Sequence, residues 1–558
     1  MKHTTFWPKC AMVCAFLCTM ASSMAFNKHE VRAVWLTTIG GLDWPHSYAQ
    51  SSHSIEKQKA ELRNMLDRLK LANINTILLQ TRVRATTIYP SAMEPWDGCM
   101  SGTPGKTPGY DPLQFAIDEC HQRGMELHAW VVCIPIGKWS NYGCRKLQKQ
   151  RPDLVKRIGD EGFMDPEKKG TAEYIAGICS EIAHKYDIDG IHLDYIRYPE
   201  TWKGRMDRER GRANITRIVE HVAAAVKRQK PWIKMSCSPV GKHDDLTRYS
   251  SKGWNARTKV CQDAQAWMAN GLMDQLYPMM YFKGNQFYPF AIDWNENKHN
   301  GIISPGLGIY FLSPKEKDWE LDVIRRQLHF LRREGLGQAF FRCKFLLDDV
   351  KGLYGMLRNE INRHPSLIPP LTSTEPIPDM PHDIRLTRQD GIDRLSWTDN
   401  KSFPQNDGLY NVYNVYASNT YPVDVNNPCN LLETRHMKCC IDIPNPRGQN
   451  VYYAVTATDR FGNEGPAATI PRQKTADPHE TGGMLQCNGT TLTLPRKTIA
   501  SDAEYIAIES ASGNIVRTFA YSSNTINISS IPQGFYVVRL LGRKGISHRL
   551  GFFIIKRS

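Results

Sequence analysis

Between Val31 and about Leu357, short apolar runs alternate about eight times with segments of helical periodicity. That alternation constrains the fold more than any other feature. Neighbouring parallel strands can be joined only through a long crossover, and such crossovers are right-handed. Residues 31–38, 74–80, 126–134 and 190–195 read as the first four strands, and 233–240, 274–282, 302–311 and 338–345 as the next four. Leu62, Met65, Leu66 and Leu69 fall at helical spacing between the first two, and Ile175, Ile178, Cys179 and Ile182 before the fourth. Asp111-Pro112 reads as an N-cap with a first-turn proline, and Asp165-Pro166 as the start of another helix. Eight such units close into an α/β (β/α)8 TIM barrel over residues 26–364. The alternative, an open doubly wound sheet, lacks a GxGxxG after its first strand.

Beyond the barrel the pattern turns all-β. Residues 365–381 are rich in Pro, Ser and Thr and read as a linker. In 382–474, alternating segments at 394–397, 409–417 and 451–459 predict a small sandwich. Trp397 and Tyr452-Tyr453 there resemble the buried Trp and late-strand Tyr of a fibronectin type III domain. In 475–558, the segments 531–538 and 552–556 resemble the tail domains that mark cargo for the type IX secretion machinery. A plain accessory β-sandwich is the other reading of that tail.

The N-terminus bears on location. Lys2 and Lys9 precede an apolar run, and Ala21-Ser22-Ser23-Met24-Ala25 supplies small residues for cleavage, so 1–25 reads as a secretory signal. No later stretch has the roughly 18 apolar residues that would span a bilayer. The expectation is an exported protein in the periplasm, at the cell surface or outside the cell, without nucleic acid as a partner. Lys+Arg exceed Asp+Glu by 71 to 56, a formal charge of +15. That excess favours an acidic partner or simply keeps the protein soluble. Of 15 cysteines, Cys10, Cys14 and Cys18 lie in the signal, leaving 12. Cys133, Cys237 and Cys343 read as core fillers, and Cys429, Cys439 and Cys440 are close enough in sequence for one disulfide. No Cys or His spacing matches a zinc site, and neither metal nor cofactor is expected.

Barrel enzymes carry their reacting groups at the carboxyl ends of the strands. The fourth strand ends Gly190-Ile191-His192-Leu193-Asp194, followed by Tyr195 and Arg197. If Asp194 points inward at the mouth, His192 lies one layer deeper on the same face. A carboxylate beside an imidazole and near Arg197 is expected to stay ionised, which suits a nucleophile or a stabiliser of an oxocarbenium ion. The competing reading is a structural Asp194–Arg197 ion pair. Glycoside hydrolysis needs a second carboxyl group. Glu200, flanked by Pro199 and near two tyrosines, has a setting that could desolvate it as an acid requires, or it is an exposed loop residue. Glu94, Asp97, Asp244, Asp245 and Asp293 are further candidates. Trp44, Trp96, Trp139, Trp202, Trp254, Tyr281 and Trp294 cluster in the expected mouth loops, where rings can stack on sugars. Arg82, Trp35, Trp96, His128, Trp130, His192 and Tyr281 are the candidate sugar-binding residues. The basic run from Lys203 to Arg212 reads as a solvated face, or as a lining that favours an anionic glycan.

Ordered motifs through this region resemble the glycosyl-hydrolase-like family ten barrels of bacterial envelopes. They are Arg32-Ala33-Val34-Trp35-Leu36, Asp43-Trp44-Pro45, Gln80-Thr81-Arg82, Tyr89-Pro90-Ser91, Pro108-Gly109-Tyr110-Asp111-Pro112-Leu113, His128-Ala129-Trp130, Asp189 through Asp194, and Ser238-Pro239. The resemblance spans about Glu30 to Leu347. It implies a (β/α)8 barrel, glycoside hydrolysis and a polysaccharide substrate, with peptidoglycan glycan strands lacking stem peptides as the substrate of some relatives. One departure stands out. After the third-strand Trp the family often has Asn-Pro-Tyr-Arg, whereas Trp130 here is followed by Val131-Val132-Cys133-Ile134-Pro135. That loss of polar groups motivates a second reading, a catalytically silent glycan-binding or structural envelope protein.

Overall fold

A computed structural model of the chain describes residues 26–202, 207–250, 253–371, 376–446, 448, 451–470, 483–494, 503–511, 514–521, 523–542 and 547–555. The expected signal, 1–25, lies outside the described residues. Six strands run parallel in spatial order: β1 (Arg32–Leu36), β2 (Thr76–Val83), β3 (Glu126–Val132), β4 (Gly190–Asp194), β5 (Lys234–Cys237) and β6 (Gln275–Leu276). The seventh, β7, comes in two pieces, Ile302–Ile303 and Gly306–Leu307. Ser304-Pro305 separates them, and a proline cannot donate to a ladder. The first piece pairs with β6 and the second with β8 (Gln338–Phe340), which pairs in turn with β1. Parallel pairing thus returns to its starting strand, as fits a TIM-like barrel.

Alternation along the strands sorts their side chains into two cores. Ala33, Trp35, Leu78, Trp130, Val132, Tyr277 and Ala339 pack together inside the ring. Val34, Leu36, Ile77, Leu79, Leu127, Ile191, Leu193, Met235 and Phe340 pack outward, in the same core as the helices. The helix Ser52–Leu71 shows the local logic. Ser51 and Ser54 form a capping box, and Leu62, Met65, Leu66 and Leu69 make its buried stripe. Asp111 caps the helix Pro112–His121 by accepting from Leu113 N and Gln114 N, both at 3.1 Å.

Several elements differ from the sequence reading. The helix expected at Asp165-Pro166 is Lys169–Lys185. Asp165 builds the preceding turn, with its side chain accepting from Glu167 N at 3.0 Å and its carbonyl from Thr171 Oγ1 at 2.6 Å. An antiparallel sheet of Pro135–Lys138, Glu161–Met164 and Val155–Ile158, with the helix Tyr142–Gln150, is inserted after β3. Its strands are four residues long, too short for alternation to register. The segment expected as a linker is packed over its first part. Leu367, Ile368 and Leu371 are buried, and Leu367 N donates to Lys28 O at 2.8 Å.

The C-terminal portion is all-β. One three-stranded antiparallel sheet holds His382–Gln389, Ile392–Thr398 and Cys440–Pro444, and a four-stranded one holds Leu431–His436, Val412–Ser418, Tyr452–Thr458 and Ala468–Ile470. Leu395 and Trp397 of the first share a core with Tyr413, Val415, Tyr453 and Val455 of the second. A further four-stranded sheet carries Gly534–Gly542 and Ser547–Ile555. Cys429, Cys439 and Cys440 are all free, against the expected disulfide, and Cys439 Sγ lies 3.3 Å from Tyr413 Oη.

The first β module docks on the N-terminal face of the barrel through buried charge. Arg435 donates to Glu126 at 3.1 Å and to Asp189 at 2.8 Å, and Arg460 donates to Asp187 at 2.6 Å. Lys234 bonds Glu126 at 2.7 Å and His121 bonds Asp189 at 2.8 Å. The approach is close enough to demand glycine at Gly124, where a Cβ would stand 2.1 Å from Thr434 O and φ is +67°. Burial opposes the charge of Glu126, but Lys234 and Arg435 outweigh it and hold the carboxyl at about 2, against 4.5 ordinarily. A depressed carboxyl stabilises the fold above its unfolded value. This contribution is therefore complete above about pH 4.5 and is lost as the pH falls towards 2. Arg435→Ala leaves two buried carboxylates short of a cation and is expected to cost about 3–5 kcal/mol in urea unfolding at neutral pH. A cost under about 1 kcal/mol would show that the latch is dispensable.

Candidate active site at the carboxyl ends of the strands

Asp194 is the last residue of β4, inward-facing and 7% exposed. Three donors reach it. Ser238 Oγ and the Tyr195 amide each bond Oδ1 at 2.8 Å, and Trp130 Nε1 bonds Oδ2 at 3.0 Å. Tyr195 can fold its amide back onto the preceding carboxylate because its backbone is left-handed, φ +49°. For a tyrosine this costs of order 1 kcal/mol. Burial moves the Asp194 carboxyl upward, while the bonds from Ser238, Tyr195 and Trp130 and the charge of Arg197 work against that shift. The expectation that a neighbouring imidazole helps to keep Asp194 ionised is corrected on this point: the imidazole is not among the groups acting on the carboxyl. Burial also holds the His192 imidazole well below its ordinary value, with His128 adding to the effect, so the ring is neutral and lends Asp194 no positive charge.

His192 occupies the layer beneath. Its Nε2 accepts from Trp35 Nε1 at 3.2 Å, and its Nδ1 lies 3.0 Å from Ser236 Oγ, which donates to Ile191 O at 3.2 Å. These partners require the Nδ1–H tautomer. Trp35 and Tyr277 pack edge-on to the His192 ring at 5.9 and 5.3 Å. His128 lies deeper still, fully buried and 3.2 Å from Glu126, towards the face where the β module docks. The structure therefore separates Trp35, His128 and His192, all expected to line the sugar site, from the mouth.

Arg82 is at the right level but fully engaged. It forms a two-pronged pair with Glu94 at 2.8 and 2.6 Å, and its remaining nitrogen donates to Val132 O and Cys133 O. Burial opposes its charge, yet Glu94 carries the guanidinium upward. Glu200 has a side chain 48% exposed and accepts from Arg197 Nη1 at 2.6 Å, so it is not the desolvated acid expected from its flanking residues. Arg197 is itself buried, lies 4.4 Å over the Tyr195 ring and has an Nε without a partner among the described residues. Burial, then the charge of Asp194, raises the Tyr195 phenol, with Glu200 adding and Arg197 opposing. Tyr281 stacks on Phe341 at 5.5 Å, and burial followed by the charge of Asp194 sends its phenol well up. Asp194, Tyr195, Arg197, Glu200 and Tyr281 thus share one neighbourhood, with Trp130 and Ser238 behind it.

The aromatic set divides. Trp44 and Trp294 are core residues bonded to Gln58 O and Gly241 O. Trp96, Trp139 and Trp202 are half-buried, and Trp254 is 44% exposed. Asp244 pairs with Arg257 at 3.1 Å and Asp97 caps the helix Gly98–Ser101, which leaves neither facing Asp194 as a free carboxyl. Asp293, on the helix Tyr288–Glu296, accepts from Gln265 Nε2 at 2.9 Å. Three residues of the site were not among the candidates. Ser238 directly follows β5, and Tyr195 follows Asp194. Gln80 is inward-facing on β2 and takes the amides of Thr38 and Ile39 on Oε1 at 3.1 and 2.9 Å. Gln80 and Ser238 stood inside family motifs and Tyr195 just beyond one, but nothing in their types alone marked them. Among the described residues no group of three or more His, Cys, Asp or Glu could hold a metal ion.

A ring of parallel strands whose polar side chains converge beyond their carboxyl ends is the plan of the barrel enzymes. Sequence comparison narrows it. The family model described as glycosyl hydrolase-like 10 matches residues 30–210 and 206–311, just over half of the 558 residues, and the chain belongs to that family. Glycosyl hydrolase YngK of Bacillus subtilis (strain 168) is 28% identical over 386 residues, which cover 62% of this chain and 74% of that protein. Glycosyl hydrolase DigH of Escherichia coli (strain K12) is 29% identical over 292 residues, covering 46% of this chain and 66% of that one. Among solved structures, the PgaB (BpsB) glycoside hydrolase domain from Bordetella bronchiseptica aligns over 60% of this chain and 99% of its own, at 11% identity and a TM-score of 0.40, too low to transfer any residue.

The donor set around Asp194 can be tested without substrate. Ser238→Ala removes one of two donors to Oδ1 and should raise the Asp194 carboxyl further, read by carbon-13 NMR titration. An unmoved titration would mean that the Ser238 bond does not act on the carboxyl.

Proposed function

We propose that the protein is an exported glycoside hydrolase acting on a polysaccharide, peptidoglycan glycan strands first, with Asp194 as its general acid. One contrast carries the assignment. Asp43 after β1, Glu94 after β2 and Glu200 after β4 are each bonded to an arginine, namely Arg342, Arg82 and Arg197. Among the described residues Asp194 is hydrogen-bonded only by neutral donors, and it is pushed upward by burial. Two carboxyl groups in such different settings divide into an acid and a base. This reverses the roles expected from the sequence: Asp194 becomes the acid, and Glu200, on the same loop and held by Arg197, the base. With Oδ1 doubly occupied and one side of Oδ2 taken by Trp130, the free side of Oδ2 is the place for the transferable proton. It passes to the glycosidic oxygen as the C–O bond breaks, and the anomeric carbon is taken by water.

The substrate class draws on the rim. Lys138, Lys156 and Arg157 in the insertion after β3, Lys283 after β6, and Lys315 and Lys317 after β7 pair with no carboxylate among the described residues. Four of them lie over rings: Lys156 over Trp202 at 4.1 Å, Arg157 over Trp139 at 5.4 Å, Lys283 over Trp319 at 5.8 Å and Lys317 over Phe311 at 3.9 Å. Unpaired cations interleaved with aromatic faces suit a glycan that carries carboxylates, as muramic acid residues do. The competing reading, a barrel that binds glycan without cleaving it, draws on Val132, which puts an apolar side chain where the family often has polar ones.

On purified glycan strands, Asp194→Asn should lose about 10²–10⁴-fold in kcat with its melting temperature retained. Turnover should also fall several-fold as salt rises from about 0.05 to 0.5 M. Full activity in Asp194→Asn removes the acid assignment. Glycan binding without turnover by the parent protein, over a broad panel, establishes the silent reading instead. Export belongs to the same proposal, with a fibronectin type III-like sandwich at 382–474 and a sorting tail at 475–558. N-terminal sequencing should find mature protein starting at Phe26, and deletion of 475–558 should hold it in the periplasm. Surface export of the deletion variant would rule out a sorting tail.

A further inference from the structure

A cleft of about 420 Å³ lies apart from Asp194, between the loop after β1, from Gly40 to Tyr48, and the loop after β2, from Asp97 to Pro104. Both loops leave the carboxyl ends of their strands, so the cleft opens on the face that carries Asp194, beside strands on the other side of β3 from β4. Its volume falls in the range of small-molecule sites, about 300–1,000 Å³.

The lining joins an exposed ring, apolar walls and a polar side chain. Tyr48 is 56% exposed, and its ring lies over Gly102, where a Cβ would meet ring carbons at 3.0 Å. The ring therefore packs against the Gly102 backbone while much of the side chain stays open to solvent. Pro45 and Pro104 add apolar walls. His46, with its side chain 60% exposed and its Nδ1 bonded to Glu61, supplies a polar group for hydroxyls, and Asp97 lines the wall with its two oxygens held by Cys99 N and Thr86 Oγ1. Gly40 and Gly41, at φ +60° and +67°, have nothing within 4 Å of a would-be Cβ, which leaves the rim clear. The floor is held by hydrogen bonds between the two loops. Ala49 N donates to Met100 O at 2.8 Å, Gln50 Nε2 to Ser101 O at 3.2 Å and Gln58 Nε2 to Met100 O at 2.9 Å, so the two loops are stitched together.

We propose that this cleft is a distal carbohydrate-binding subsite that holds two or so sugar units of a glycan chain through ring stacking and hydroxyl contacts, with Tyr48 as its stacking platform. The proposal rests on the glycan reading of the barrel mouth and adds a place, a ligand chemistry and a residue to it. A largely exposed aromatic ring beside a mixture of polar and apolar walls fits the two-sided chemistry of a pyranose. The cation-bearing rim after β3, β6 and β7 is elsewhere on the same face, so the subsite does not depend on substrate charge.

The test is binding by titration calorimetry to the full-length Asp194→Asn protein, which removes turnover, with chitohexaose and chitobiose as probes. Tyr48→Ala should weaken chitohexaose binding about tenfold, roughly the loss of one stacked ring. Tyr48→Phe, which keeps the ring, should bind as the parent does. In the background with Asp194 restored, Tyr48→Ala should raise KM on long chains and leave kcat unchanged. Equal chitohexaose affinity in the parent and Tyr48→Ala overturns the subsite, as does the absence of binding to either probe. Loss of affinity in Tyr48→Ala by a protein that hydrolyses nothing upholds the subsite while the hydrolase reading falls, and hydrolysis unaffected by Tyr48 does the reverse.

Discussion

Closure of the parallel sheet imposes the constraint on which the molecule depends. Once β7 pairs with β6 on one side and β8 on the other, every second side chain faces an interior with little room for water. A polar group placed there must be met by another polar group or be expelled. The chain meets this demand at three levels. At the N-terminal end Glu126 and Lys234 face each other, and the β module completes them with Arg435. In the middle, Trp35, His192 and Ser236 form a hydrogen-bonded series with a single consistent tautomer. At the carboxyl end, Trp130 and Ser238 turn their donors onto Asp194. Only this last level opens onto the mouth.

That arrangement explains what could be read from the chain. The barrel was legible because its signal is repeated, and the two periods, near 3.6 and 2, report burial directly. Asp194 was legible because β4 carries an acid at its last residue, where alternation and barrel geometry both point inward. Its chemical environment was not. Ser238 comes from a different strand, 44 residues away, and an arginine 241 residues beyond Asp194 serves the opposite face. The setting of Glu200 was left open between a desolvated and an exposed acid for a related reason. Its neighbours Pro199 and Tyr198 are buried, but its own carboxylate turns out to Arg197, and local composition cannot tell those orientations apart. The pairing of Arg82 was hidden similarly, since Glu94, 12 residues on, returns along the loop and bonds it.

The short late strands follow the same logic. The expected strand at 274–282 forms a ladder only at Gln275–Leu276, with a further bridge at Met279 to both Val240 and Gly306. Pro278 interrupts the amide series, so the strand continues in direction but not in regular pairing. The inserted sheet after β3 had no sequence signature because a four-residue strand half exposed on one face shows neither period clearly.

The two ends of the barrel also explain each other. The N-terminal face is sealed by a second module through charges that cannot be left bare, and burial there is offset by opposite charge, so Glu126 and Asp189 are held low. At the opposite face burial is met by neutral donors, so Asp194 moves up. The same desolvation acts on carboxyls at both ends of one strand ring, and the sign of the shift is decided by whether an arginine or lysine, or only a hydroxyl, an indole and an amide, stands next to the oxygen. Carboxyl groups held low and one moved up are thereby distinguished within a single fold by the charge of the immediate donors.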